Sequence, residues 1–247
     1  NRMQSPSKAI RGDGQGMKLK CAIFDFDGTL FDSMHIWESV AEIYLRSLDI
    51  VPKPTIGDDV REMCLHQSAT YMREEYNLSL SVEQIMEGIN QTVEDFYLYH
   101  VLPKPGVITV LEQMQNAEIP MCIATATDRH QIEAALERCG MAHYFDEIFT
   151  CSEVGHGKDE PEIFRKAMAC FDADRSTTIV FEDAYHAVRT AKKDGFVVAA
   201  VFDQSEKKQK EIRELADFCI ADYEHMEALW ERLEEQEDEK SIDDCRK

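Results

Sequence analysis

The stretch Cys21-Ala-Ile-Phe-Asp25-Phe-Asp27-Gly28-Thr29-Leu30 joins a short apolar run to two aspartates and a glycine. The apolar run predicts a strand buried on both faces, because such strands read as near-continuous apolar sequence. Gly28 allows the chain to leave the extended conformation directly after the second aspartate. The stretch therefore predicts a buried strand that ends at two acidic side chains, Asp25 and Asp27.

These two carboxylates predict a site for a hard cation. Partly buried carboxylates without a counter-charge destabilise a fold, whereas Mg²⁺ is bound by carboxylate, carbonyl and water oxygens. A calcium-binding loop also begins Asp-x-Asp-Gly, but it follows a helix and continues with oxygen ligands. Here a strand precedes the aspartates, and Leu30 and Phe31 interrupt the oxygen series. A solvated turn is the alternative that stays open.

Downstream, helical and strand patterns alternate along the chain. Strands are predicted over 120–125, 147–151, 177–181, 196–202 and 218–221. Helices are predicted over 107–116, 129–139, 160–171 and 184–194, and from Tyr223 onward. Apolar strands that alternate with helices form a parallel sheet covered on both faces, and right-handed crossovers make it doubly wound. The predicted fold class is therefore α/β, a doubly wound parallel sheet with an inserted α-helical cap domain.

A long helical insert separates the first strand from the others. Apolar residues at helical spacing cover 32–48, 59–76 and 81–99. A normal connection between a strand and a helix has about two to six residues. We therefore assign 33–103 to a helical cap, and 17–32 together with 104–232 to the α/β core. Since ligands bind at the carboxyl ends of such strands, the insert is typical of a lid. An insert that only adds stability or a dimer surface is the alternative.

Charge and hydropathy limit the class of protein. The 247 residues carry a formal net charge of −21, which disfavours a nucleic-acid partner, because phosphate backbones are bound by clustered Lys and Arg. No apolar stretch is long enough for a membrane span, and no signal-peptide core is recognisable, so we expect a cytoplasmic protein without a membrane partner. Residues 1–16 are expected to be a disordered leader or an expression remnant, and 233–247 a solvated acidic tail.

The eight cysteines include no Cys-x-x-Cys pair, and several lie inside apolar runs. A thiol in such a run behaves as a small apolar side chain. We therefore expect reduced cysteines that fill the core, with neither a disulfide framework nor a zinc site.

Polar residues follow the later strands as well. Thr125-Ala126-Thr127 follows the second predicted strand, and its hydroxyls and amides could donate to a phosphate at a helix start. Lys158 lies in a glycine-containing loop after the third strand, and Glu182-Asp183 ends the fourth. Each feature alone has an ordinary explanation, such as a helix cap or a solvated lysine. Their order and location together are the stronger signal.

In this order, the four strand ends resemble the four motifs of the haloacid dehalogenase-like (HAD) hydrolases. The resemblance covers about residues 17–223, and the insert is similar to the small helical cap of the phosphatase and β-phosphoglucomutase-like branch. It implies that the core is HAD-like and Rossmannoid, that the cofactor is Mg²⁺, and that the chain is an enzyme, a phosphoric monoester hydrolase. The partner would be a small-molecule phosphate ester, a sugar or a related alcohol phosphate, and the chain a monomer or weak homodimer.

The resemblance also implies roles for individual residues. Asp25 would be the nucleophile that forms an aspartyl-phosphate, and Asp27 the general acid and base. Thr125 and Lys158 would complete the catalytic set by holding the phosphate. The implied metal ligands are Asp25, Asp27 through its carbonyl, Glu182 and Asp183. The implied phosphate-binding residues also include Gly28, Thr29 and Ala126.

Two other activities remain within the family. Hydrolytic dehalogenation needs no metal, and Asp27 with the pair Glu182-Asp183 argues against it because extra carboxylates repel an anionic substrate. Phosphomutases of this branch carry a hinge histidine where this chain has Trp37, with His35 two positions earlier. They also carry a lysine after the second motif where this chain has Asp128, so the chain departs from their pattern at both positions. A catalytically silent protein that binds a phosphorylated ligand is the alternative from another class.

The third motif departs from the usual Lys-Pro-x-Pro, since it reads Lys158-Asp-Glu-Pro161. Substrate choice is expected to depend on side chains that face the cleft from the cap. The candidates for substrate contacts are His35, Trp37, Arg61, His66 and Arg129.

Overall fold

A computed structural model describes residues 19–60 and 63–231. The predicted leader 1–16, the predicted acidic tail 233–247 and the candidate Arg61 lie outside these described residues. Within them, none of the helices combines the length and the apolar character that a bilayer crossing requires.

The described residues form a six-stranded sheet in the order β3-β2-β1-β4-β5-β6, and every neighbouring pair is parallel. The strands are β1 Cys21–Phe24, β2 Met121–Thr125, β3 Glu147–Thr150, β4 Thr178–Glu182, β5 Val197–Val201 and β6 Phe218–Ile220. All six lie within or close to the predicted strand ranges. The α/β fold class with a parallel, doubly wound sheet is confirmed.

Apolar side chains on both faces explain why β1 and β4 occupy the centre of the sheet. Every residue of both strands is buried. Phe24 pairs in register with Phe181, and their rings stack with centroids 4.3 Å apart. Because each face of the sheet is apolar, helices must cover both.

The helices are α1 His35–Ser47, α2 Ile56–Val60, α3 Leu65–Glu75, α4 Val82–Asp95, α5 Val107–Asn116, α6 Arg129–Arg138, α7 Cys151–Val154, α8 Glu162–Cys170, α9 Tyr185–Lys193 and α10 Gln209–Leu215. Buried residues of α5 and α6 pack in one apolar cluster with Phe24. Those of α8, α9 and α10 pack in a second cluster with Ile23. Since neighbouring residues of β1 point to opposite faces, the two clusters lie on opposite sides of the sheet.

Helices α1 to α4 share an apolar cluster of their own, built from residues such as Tyr44, Leu45, Met72 and Ile85. The single helix predicted over 59–76 is instead two helices, because Cys64 is extended (φ −68°, ψ 164°) and caps α3. After α4 the chain makes one π-helical turn, Phe96–His100, which returns it to the sheet.

Three further details differ from the sequence-based expectations. Helix α10 was not predicted, since Ile212 is its one buried residue among charged neighbours. The last described helix begins at Glu227 rather than at Tyr223. The seven described cysteines are free, but Cys64, Cys170 and Cys219 are exposed, so the expectation that cysteines fill the core holds for only part of them.

Candidate active site

The acidic residues lie where the strand order of the sheet reverses. Strands β1 and β4 are neighbours at this point, and the Asp25 backbone N–H donates to the Phe181 carbonyl at 3.0 Å. Asp25 follows β1, while Glu182 ends β4 and Asp183 follows it. Open α/β sheets bind their ligands at such a switch point, outside the carboxyl ends of the strands.

Asp25, Glu182 and Asp183 form a buried carboxylate cluster, with one ligand atom from each lying within 4.8 Å of the others. The Thr29 hydroxyl donates to Asp183 Oδ1 at 3.1 Å. Gly28 has φ +74°, and a Cβ atom at this position would lie 2.3 Å from Asp183 Oδ2. Glycine therefore gives the first acidic loop both its turn and its close approach to Asp183.

Lys158 is the ammonium group inside this cluster. Its Nζ donates to Asp25 and, at 2.6 Å, to Glu182 Oε1. Burial alone would lower the pKa of Lys158, but the negative charges of Asp25 and Glu182 outweigh burial and raise it. The lysine therefore stays protonated and joins the third strand end to the first and the fourth.

One ammonium does not balance three carboxylates. Burial raises the pKa of Asp25 to about 6, and the charge of Glu182 adds to this rise while Lys158 opposes it. Burial also raises the pKa of Asp183, with Asp25 and Glu182 as further causes. The cluster thus has an excess of negative charge and an all-oxygen donor set, which suits a hard divalent cation.

Three hydroxyl groups hold the Asp27 carboxylate. Ser33 and Tyr97 donate to Oδ1, and Thr127 donates to Oδ2, each at 2.6 Å. Burial raises the pKa of Asp27, and Asp25 adds to the rise, whereas the three hydroxyls oppose it. Burial and the charge of Asp27 raise the pKa of Tyr97, so its phenol keeps the proton that it donates.

A cleft of about 770 Å³ opens above the carboxylate cluster, between the sheet and helices α1, α3 and α4. Its floor includes Asp25, Asp27, Lys158 and Asp183. Its other lining residues are Met34, Trp37, Leu65, Ile89, Asn90, Val93, Glu94, Tyr97, Ala126, Thr127, Asp128, His130, Gln131, Glu182, Ala184 and His186. The size is within the range of small-molecule sites.

A family model described as haloacid dehalogenase-like hydrolase matches residues 22–201, which include all four strand ends described above. The chain belongs to this family. The predictions of the family and of a hydrolase are therefore confirmed.

Several relatives are named as phosphatases. The chain is 28% identical over 188 residues to a validoxylamine A 7'-phosphate phosphatase from Streptomyces hygroscopicus subsp. limoneus, covering 71% of this chain and 82% of that protein. It is 25% identical over 180 residues to a phosphorylated carbohydrates phosphatase from Thermotoga maritima, covering 72% and 82%. A solved Thermotoga maritima structure assigned as a beta-phosphoglucomutase has a TM-score of 0.76 at 21% identity, covering 85% of this chain and 98% of that one. This last likeness supports the HAD-like fold.

Only part of the second motif, Thr125-Ala126-Thr127, lines the cleft of this HAD-family chain. The Thr125 side chain is buried beneath the cleft wall, and its hydroxyl accepts from the Thr127 backbone N–H at 3.0 Å. Ala126, Thr127 and Asp128 line the cleft itself. Ala126 and Thr127 of this motif therefore line the cleft, and the Thr127 hydroxyl donates to Asp27.

Of the candidate substrate contacts, the structure brings Trp37 to the cleft, with its side chain 54% exposed. His35 is not among the lining residues and packs edge-on against Phe96. His66 is exposed on α3 and is also not among them.

Arg129 is turned away from the cleft because acceptors elsewhere bind its guanidinium. It donates to both carboxylate oxygens of Glu153, at 2.7 and 2.9 Å, and to the Ile148 carbonyl at 2.6 Å. These bonds remove Arg129 from the set of residues that could reach a bound substrate.

Sequence reasoning missed several residues that face the site. Ser33 and Tyr97 contact Asp27, and Glu94 and His130 meet across the cleft at 3.0 Å. The alternating strand pattern gives no signal for them, because they lie on or next to helices. The hydroxyl of Ser33, six positions after Asp27, is the one that local spacing could have suggested.

Proposed function

We propose that this chain is a Mg²⁺-dependent phosphatase that hydrolyses a small phosphorylated metabolite, a sugar or a related alcohol phosphate. The observation that carries the proposal is the buried set Asp25, Glu182 and Asp183, with Lys158 bonded to two of them, on the floor of a cleft. The named phosphatase relatives support the same reaction class.

The residues present fit a magnesium ion. Asp25, Asp183 and the Asp27 carbonyl would hold it, with Glu182 close by, since all are hard oxygen donors. Burial first, and then the neighbouring carboxylates, raise the pKa values of Asp25 and Asp183, and a divalent ion would offset that negative charge. When bound, the ion supplies positive charge that reduces repulsion between a carboxylate and a phosphate dianion.

Asp25 is proposed as the nucleophile. A carboxylate oxygen of Asp25 attacks phosphorus, the bond to the leaving alcohol breaks, and an aspartyl-phosphate forms. Water then attacks this phosphorus, which releases inorganic phosphate and restores the carboxylate. Lys158 donates to the Asp25 carboxylate and so holds it in place, and its positive charge balances part of the negative charge of the cluster.

Asp27 is proposed as the general acid and base. In its protonated form it gives a proton to the leaving oxygen, and as a carboxylate it then takes one from the attacking water. Burial raises the pKa of Asp27, which favours the protonated form needed in the first step. The hydroxyls of Ser33, Tyr97 and Thr127 hold the carboxyl group in the cleft while it exchanges its proton.

Phosphate contacts are proposed for the backbone around Ala126 and for Lys158, which line the cleft. Gly28, Thr29 and Thr125 are not among the lining residues, and the Thr127 hydroxyl already donates to Asp27. Helices of the segment 33–103 are proposed to act as the cap over the core segments 17–32 and 104–232, since α1, α3 and α4 supply one wall of the cleft. A cytoplasmic location and a monomer or weak homodimer stay predictions from the sequence.

The test is phosphate release from p-nitrophenyl phosphate and a panel of sugar phosphates, with and without Mg²⁺. We expect release that EDTA abolishes and that Mg²⁺ restores. Asp27→Asn should lower kcat by about 10²- to 10⁴-fold, the range for a positioned acid or base. Asp32→Asn is the matched control, because its side chain is exposed and does not line the cleft.

Four results would contradict the proposal. Near wild-type turnover by Asp27→Asn would remove the acid/base assignment. Full activity after chelation would remove the metal requirement. Isomer formation that needs a bisphosphate primer would indicate a phosphomutase, and failure to release phosphate from any ester would indicate a silent binder.

A further inference from the structure

Charge is distributed unevenly over the cleft. Its described lining contains six carboxylates, those of Asp25, Asp27, Glu94, Asp128, Glu182 and Asp183. Lys158 supplies the one ammonium among these lining residues, and both of its partners are on the floor. Within the described part of the chain, no arginine lines the cleft.

The cation and the proposed Mg²⁺ ligands are therefore all on the floor, where the phosphoryl group would be. The wall supplied by α4 carries Glu94, and the opposite rim carries Asp128. The leaving half of a substrate would lie between these carboxylates. A second anionic group on that half would meet like charge in a partly desolvated cleft, where Coulomb repulsion is stronger than in water.

Apart from Glu94, Asn90 and the Tyr97 hydroxyl, the cap side of the cleft is lined by apolar side chains. Trp37, Leu65, Ile89 and Val93 line it, and more than half of the Trp37 side chain is exposed. An indole face packs against the apolar face of a ring, and it attracts an ammonium group more strongly than other aromatic side chains do. These side chains suit a ring-shaped leaving alcohol that is neutral or carries a positive charge.

Given the phosphatase activity proposed above, we infer that the substrate is a phosphomonoester of a neutral or ammonium-bearing ring alcohol, without a second phosphate or a carboxylate. Glu94 is the specificity-determining residue for this preference. Its Oε1 lies 3.0 Å from His130 Nε2, and this contact holds the partly exposed carboxylate at the cleft wall.

A set of esters that share the C6 phosphate tests the inference. Glucosamine 6-phosphate, glucose 6-phosphate and glucose 1,6-bisphosphate share a ring and differ mainly in charge at one ring position, whereas 6-phosphogluconate is an open chain that carries a carboxylate. We expect kcat/KM for glucosamine 6-phosphate to equal or exceed that for glucose 6-phosphate. The two anionic esters should be hydrolysed at least about tenfold less efficiently, as expected for a like-charge penalty of about 1.4 kcal/mol.

Substitution of Glu94 separates its local charge from the net charge of the protein. Glu94→Lys should raise kcat/KM for 6-phosphogluconate relative to glucosamine 6-phosphate by at least about fivefold, and Glu94→Gln should give a smaller change in the same direction. Glu87→Lys is the matched control, because it makes the same change of charge at an exposed position of α4 that does not line the cleft. Its ratio should stay at the wild-type value.

The outcomes also separate this inference from the proposed function. Failure to hydrolyse any of the four esters, or p-nitrophenyl phosphate, would contradict the phosphatase itself. Hydrolysis with a preference for 6-phosphogluconate or the bisphosphate would leave the phosphatase intact and overturn the inference. Equal changes in Glu94→Lys and Glu87→Lys would overturn the role of Glu94.

Discussion

The Tyr97 hydroxyl donates a hydrogen bond of 2.6 Å to the Asp27 carboxylate, although the two residues are 70 positions apart in the chain. Tyr97 lies in the π-helical turn that leads from the helices of the insert back to the sheet. Its side chain is buried, and its ring packs near Phe26 and Phe96. The turn that ends the insert therefore reaches the proposed general acid directly.

Tyr97→Phe should lower kcat by about tenfold with little change in KM, because a hydrogen bond to a carboxylate contributes about 1.5 kcal/mol or more to its orientation. The phenol lowers the pKa of Asp27, so its removal should also raise that pKa further. Tyr99→Phe is the control, since Tyr99 belongs to the same turn and is 64% exposed. Equal kcat values for the two variants would show that Tyr97 does not position Asp27.

Lys158→Met should destabilise the fold by about 3 kcal/mol, because it leaves the buried carboxylates of Asp25 and Glu182 without their ammonium partner. Urea unfolding at neutral pH measures the change. Lys193→Met removes a lysine at an exposed position and should change the free energy of unfolding by less than about 0.5 kcal/mol. A Lys158→Met variant as stable as wild type would mean that the carboxylates are solvated.

Gly28→Ala should destabilise the protein and reduce its activity together. The new methyl group would meet Asp183 Oδ2, and φ is +74° at this position. Gly155→Ala separates backbone strain from the steric clash, because φ is +83° there and nothing lies within 4 Å of an added Cβ. We expect about 1 kcal/mol from backbone strain in Gly155→Ala and a clearly larger loss in Gly28→Ala. Equal urea midpoints would contradict the close approach to Asp183.

The four inner strands were predictable because each is a short, largely buried apolar run next to a polar or small residue. Burial of both faces leaves such a run few alternatives, and Gly140 and Gly195, both with positive φ, end the helices that precede the next strand. The helix over 107–116 has the predicted bounds. Where burial gives a weaker signal, as in α10 with Ile212 alone, the sequence pattern does not separate a helix from a loop.

The acidic half of the candidate site was predictable for the same reason, since the carboxyl ends of parallel strands share one edge of the sheet. Contacts between the helices and this edge of the sheet were not predictable. Tyr97 approaches Asp27 through the packing of the insert, and Arg129 is turned aside by Glu153, 24 positions away. Neither contact follows from the local pattern, because each depends on how two elements are placed in space.

The last prediction concerns acid stability away from the cleft. Asp194, at the end of α9, accepts hydrogen bonds from Arg165 on α8 and from Arg175, both at 3.0 Å. These bonds, that to Arg165 first, lower the pKa of Asp194 below its usual value, although burial opposes them. The carboxylate therefore joins three separate segments on one side of the sheet.

Asp194→Asn should cost about 1 kcal/mol at pH 7, a value kept small because both arginine side chains are nearly half exposed and solvent screens their charges. Since the folded pKa is below the unfolded value of about 3.9, this contribution is complete above about pH 4 and disappears as pH falls through the folded pKa. Urea unfolding from pH 7 down to pH 2.5 should show the wild-type and Asp194→Asn curves converging in acid. The exposed Asp172→Asn is the control and should follow wild type throughout. Curves for wild type and Asp194→Asn that stay parallel over this range would show that the two arginines do not stabilise the charged form of Asp194.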